Sequence, residues 1–238
     1  MSLKGMVGPP MRYGYNVVLA NPCAGPYGMG NVTERVAAAP DWELSGGLQT
    51  NIVSYVVANM LSSSLHAYKG EGPINHVLNI LKRNCLDMPP GIEYNAAKWK
   101  KVVSFVQDGF TERQSVWKKT LKKSIKDTQN IYDVAALLIK KSNCKVMAPL
   151  CSCVALMRSV YRADPGSSFW ESVDTKLAEI HNKAGMGDSR DKCINKAFKA
   201  ILKKDREDFG GEDNSAVNNH YTRSDLQVLV EEHIETAI

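Results

Sequence analysis

The chain has no C-x-x-C pair, no H-x-x-x-H or H-E-x-x-H pair, no G-x-S-x-G turn and no G-x-x-x-x-G-K-[ST] loop. These spacings place metal ligands, an activated serine or backbone amides around one reacting group, so the local motifs of zinc, serine-hydrolase and nucleotide chemistry are missing. Gly25-x-x-Gly28-x-Gly30 has the glycines of a phosphate loop but no following Lys-Ser/Thr, and reads as a plain loop. The densest cysteine group, Cys144-x6-Cys151-x-Cys153, does not make a metal site either. On a helix, residues 151 and 153 point about 200° apart and do not chelate one ion from one face. They are expected to be free, buried thiols that pack as small apolar groups. No cofactor and no metal are expected, and the role is read as non-enzymatic.

Long hydrophobic runs are also scarce. The longest charge-free stretch, Leu44 to Tyr68, contains Gly46-Gly47, Asn51, Asn59 and Ser62-Ser63-Ser64, whose polar groups are expensive in lipid. The segment Met1–Gly25 lacks the layout of a secretory signal, so an intracellular location, cytoplasmic or nuclear, with reduced thiols is the expectation. What the chain does have is the material for a sizeable core: 44% hydrophobic and 23% charged residues, the mix of an ordinary globular protein.

Its glycines and prolines are unevenly spread. The first 47 residues hold eight of the seventeen glycines and five of the ten prolines, which excludes regular helix and leaves an irregular arm with one short strand at Tyr13–Ala20. From Thr50 a helical period takes over. Ile52, Val53, Val56, Val57, Met60, Leu61 and Leu65 form one buried face reaching to Gly70, and Pro73 opens a second helix. Further helices are expected over 95–107, over 111–126 behind a Thr111-x-x-Gln114 capping box, and from the Asn130 cap to Ile139. Pro149–Arg162 is apolar on several sides, as a central helix would be. Behind a Ser168-x-x-Glu171 capping box comes another helix, followed by Ser189–Glu207 and Ser224–Glu235. The expected fold is an all-α bundle of about eight helices. It divides into an arm (1–47), a helical core (48–210) and an acidic C-terminal segment (211–238).

Short patterns along Thr111–Gly210 point to a family. Thr111-Glu112-Arg113, Asn130-Ile131-Tyr132-Asp133, Cys144-Lys145-Val146, Phe169-Trp170-Glu171 and Lys203-Lys204-Asp205-Arg206 resemble helical proteins of basidiomycete fungi. The resemblance implies a helical fold and carries no activity, ligand or site residue.

Charge supplies the candidate site. From Asn95 to Lys145 there are twelve Lys/Arg against four Asp/Glu, a local net of +8. Lys118, Lys119, Lys122, Lys123 and Lys126 fall within an arc of roughly 140° at the helical step, with Trp117, Leu121 and Ile125 on the adjacent, inward arc. Crowded ammonium groups repel one another, and an anionic partner relieves the repulsion. The stripe therefore suggests phosphate contacts to nucleic acid or another polyanion, supported by Lys100, Lys101 and Arg113; a plain solvated face is the competing reading. Trp99, among Lys98, Lys100 and Lys101, has the phase of a core residue. The five histidines form no sequence-local pair; His66 reads as a surface or capping residue and Glu231-Glu232-His233 as a charged tail. From Asp205 to Ile238 the sign reverses, with nine Asp/Glu against two Lys/Arg. This acidic end either folds onto the stripe, pairs with a neighbouring copy, or only solubilises. The alternative function is a protein–protein or self-assembly module, a homo-oligomer using the arm and the acidic end.

Overall fold

Ser45 sets the start of the first helix. Its Oγ accepts from the Leu48 amide at 3.1 Å, which brings Gly46 and Gly47 into the first turn and begins the helix four residues before Thr50. The computed structural model describes residues 42–84, 87–185, 187, 189–210 and 224–236, which belong to one compact unit. The Tyr13–Ala20 strand, the rest of the arm up to Asp41 and the acidic stretch 211–223 lie outside the described residues.

Eight α-helices are found among the described residues, with no strand: α1 Gly46–Met60, α2 Glu71–Asn84, α3 Ala96–Lys126, α4 Ile131–Leu138, α5 Ala148–Ala163, α6 Phe169–Ala184, α7 Arg190–Phe209 and α8 Asp225–Thr236. The all-α class is as expected, but three local expectations are corrected. First, α1 stops at Met60 rather than near Gly70. Ser62 diverts the chain, its Oγ accepting from the Ser64 amide and its carbonyl from the Leu65 amide. Second, α1 is no one-sided amphipath, since every residue from Ser54 to Met60 is buried.

Third, the two helices expected over 95–107 and 111–126 are one helix of 31 residues, about 46 Å long at 1.5 Å per residue. Thr111 does not cap; its Oγ1 donates back to the Gln107 carbonyl inside the helix. The apolar stripe Val102, Val106, Phe110, Trp117, Leu121 continues straight through Gly109. Gln114 fills the gap in it by donating to the Tyr68 carbonyl at 2.9 Å. Asn130 caps as read from sequence, and Asn95, expected only as the first residue of a helix, caps as well. Asn95 accepts from the Lys98 amide, and Asn130 from the amides of Tyr132 and Asp133. Ser168 precedes α6 but makes no cap, because its hydroxyl donates to Asp164 instead.

The helices pack as two groups joined through α3. On one side α1 packs against α2 and α8; on the other α5 packs against α4, α6 and α7; α3 touches members of both. α5 is the buried centre expected of it, with every residue from Leu150 to Arg158 inside. Arg158 is 0% exposed. Its Nε donates to Asp205 Oδ1 of α7 at 2.7 Å, a second guanidinium nitrogen contacts Oδ2, and a third donates to the Gln129 carbonyl at 2.7 Å. The Phe209 ring lies 3.9 Å from the guanidinium carbon.

A charge buried this way is tolerable only while its partners remain. Removing one, by Arg158→Met or Asp205→Ala, is predicted to lower unfolding free energy by about 3–5 kcal/mol in urea titrations. Arg158→Met/Asp205→Leu, which removes both charges, should recover a large part of that loss. A double variant whose loss equals the sum of the single losses would contradict this reading.

Candidate functional site

The lysine stripe lies on the C-terminal quarter of α3. Trp117, Leu121 and Ser124 are buried on the inward side of that segment, and this fixes the opposite side as surface. Lys119, Lys122, Lys123 and Lys126 are exposed there, within an arc of roughly 100° and along about 10 Å of axis. None of the four pairs with a carboxylate among the described residues. The segment is anchored at its end. After Lys126 the chain turns through Thr128, at φ 50°, and the Gln129 amide returns to the Ser124 carbonyl while the Gln129 carbonyl is held by Arg158.

The remaining expected contacts are placed differently. Lys118 is half-buried, donating to the Gly166 carbonyl, with its ammonium 5.4 Å from the Phe169 ring centre, so it tethers α3 to the α5–α6 turn. Lys101 donates to the Trp42 carbonyl at 2.8 Å and holds the lead-in to α1. Arg113 is half-buried, and Lys100 is exposed at the far end of α3, roughly 29 Å along the axis from Lys119. The structure therefore assembles four of the eight expected residues into one face. Trp99 packs half-buried against the core, with the Lys82 ammonium 4.7 Å over its ring, and is no open stacking platform.

The chain matches no family model, no curated protein and no solved structure. The resemblance to fungal helical proteins thus rests on the short residue patterns alone, and any function rests on the geometry of this chain. No helix among the described residues is long and apolar enough to cross a membrane. The acidic end does not cover the lysines as far as it is described. Asp205 and Asp208 lie on α7, paired with Arg158 and Arg162, and α8 packs on α1 and α2.

Sequence spacing missed a histidine–arginine cluster, because its members lie far apart in the chain. The rings of His66 and His181 stack at 4.3 Å between centroids, and one Arg190 nitrogen lies 3.0 Å from His66 Nε2 and 3.3 Å from His181 Nδ1. They line a polar cavity of about 200 Å³ with Ser64, Glu231 and Glu235. On the other flank of α8, His233 Nδ1 lies 3.2 Å from an Arg83 nitrogen, and the His76 ring stands edge-on at 5.8 Å. His181 and His233 are only 8% and 6% exposed. A signal was present. His181 continues the inward stripe Val173, Leu177, Ile180, and His233 sits beside Val230 and Ile234, so period alone assigns both to buried faces. Glu231 is buried too, which corrects the reading of 231–233 as a charged tail.

Cys144, Cys151 and Cys153 are buried free thiols, as their spacing suggested, while Cys193 on α7 is exposed. Burial pushes Cys144 up to about 11 and Cys151 up to about 12, and raises Cys153 as well. A maleimide at neutral pH is predicted to label Cys193 in the native protein, and to label residues 144, 151 and 153 only after denaturation, as mapped by mass spectrometry. Native labelling of Cys151 or Cys153 as fast as Cys193 would contradict the burial.

Proposed function

We propose that the protein is a non-enzymatic helical binding protein that holds a polyanion, nucleic acid first among the candidates, on the lysine face of α3. One observation carries this reading: Lys119, Lys122, Lys123 and Lys126 share one exposed helix face with no carboxylate partner among the described residues, on a segment pinned at both ends. Such groups gain by neutralising phosphates and releasing their counterions. No exposed aromatic ring interrupts the row, so the contact is to backbone phosphates and carries little sequence preference.

Four neutralised phosphates give a slope of log K against log salt of about −3 to −4 on duplex DNA, measured by fluorescence anisotropy. Lys119→Glu/Lys122→Glu/Lys126→Glu is predicted to remove binding. The control is Lys192→Glu/Lys196→Glu/Lys199→Glu, which makes the same change in net charge on exposed lysines of α7 and should leave the complex in place. Equal losses in the two triple variants would reduce the effect to net charge, and no binding by the unsubstituted protein at low salt would overturn the proposal.

A further inference from the structure

The histidine–arginine contacts have a common geometry, and one of them, His233 to Arg83, ties α8 to α2. An arginine only donates hydrogen bonds, so His181 Nδ1 and His66 Nε2 accept from Arg190, and His233 Nδ1 accepts from Arg83. The three rings must therefore be neutral to keep their contacts. In His181 and His233 the proton then sits on Nε2, and in both rings that atom is buried without a hydrogen bond. The C-terminal half of α8 lies between the two contacts. Glu231 and Glu235 face the His66–His181–Arg190 cavity, with Ser64 donating to Glu235 at 3.2 Å. His233, Glu232 and Thr236 face Arg83 across a second cavity of about 260 Å³.

We propose that the C-terminal half of α8 is an acid-released latch, held at neutral pH by the Arg83 contact to His233. A proton added to His233 Nδ1 turns the acceptor into a donor and sets a second positive charge against the Arg83 guanidinium. Arg190, His66 and His181 belong to α7, the α1–α2 connection and α6, so charge gained there reaches α8 only across the cavity that Glu231 and Glu235 line. α1 carries no charged residue. α2 presents Arg83 and His76 to His233, and His76 itself becomes a cation on acidification. The carboxylates nearby are Glu232 beside His233, and Asp191, Glu231 and Glu235 around the other cavity; Arg190 touches both of its rings directly.

Burial, with nearby positive charge second or third, holds all four rings below the usual histidine range. In His66 and His233 desolvation comes first and the neighbouring guanidinium next; in His76 desolvation precedes the other imidazoles; and His181 is lowered to about 4 by desolvation, then His66 and Arg190. The direction of the pH effect follows. Below about 6.5 the released rings take protons that the clamped rings refuse, so the clamp weakens as pH falls through the window between that value and the clamped pKa values. The N-terminal end of α8 has no such dependence, since the Gln227 side chain is held by both backbone groups of Lys145. Release at the C-terminal end uncovers the surfaces of α1 and α2 now covered by Val230 and Ile234.

The test is hydrogen exchange of the full chain at pH 7.0, 6.0 and 5.0, corrected for intrinsic rates and read in peptides covering 230–236 and 150–160. Protection of 230–236 should fall by about tenfold or more for each unit of separation between free and clamped pKa that the pH range crosses, while 150–160 keeps its protection. His76→Gln/His233→Gln should lose most of this pH dependence. The proposal is overturned if 230–236 keeps its protection at pH 5.0, if both peptides lose protection together, or if the double variant retains the full dependence. Should that variant not fold, NMR titration of the unsubstituted protein decides: His233 titrating below about 6.5 supports the latch, and titration at or above it sinks it.

Discussion

A guanidinium removed from water must have its charge and its donors matched, and the interior around Arg158 is arranged to meet that demand. One carboxylate, one carbonyl and one aromatic face do so, drawn from α7, from the α3–α4 turn and from the end of α7. Because the carboxylate and the ring come from the last turns of α7 and the carbonyl from the α3–α4 turn, satisfying Arg158 fixes α5 against α7 and fixes where α3 must end. The surrounding residues Leu150 to Met157 are buried on every side of α5.

The lysine face depends on that arrangement. Like charges crowded on a helix favour fraying, yet the segment from Lys118 to Lys126 is tied at Gly166 by the first lysine and at Gln129 by Arg158. Buried Trp117 and Leu121 hold its inner side. The cost of confining four ammonium groups is thus met by contacts on the other side of the helix, and the face is organised before any partner arrives. Preorganisation of this kind lowers the entropy lost on binding.

Much of the fold was legible in the sequence because helical period and caps are local. Asn130 caps where its side chain suggested, and the stretch after Pro149, apolar on several sides, marked the central helix. Continuity through Gly109 was not legible. The Thr111 pattern signals a helix start, and only the buried stripe from Phe110 to Trp117, with Gln114 reaching Tyr68, overrides it. The Arg158–Asp205 pair joins residues 47 apart, and Arg83–His233 residues 150 apart, so neither leaves a mark in spacing. For the site, the phase of the lysines was readable, whereas the retirement of Lys118 and Lys101 to backbone carbonyls required the neighbouring elements.

The central claim is that one face of α3, rather than positive charge in general, meets the polyanion. Lysine acetylation with and without a short DNA duplex reads that face directly. The account predicts slowed modification of Lys119, Lys122, Lys123 and Lys126, with Lys192, Lys196 and Lys199 unchanged. Equal slowing of both sets, or of neither, would contradict it.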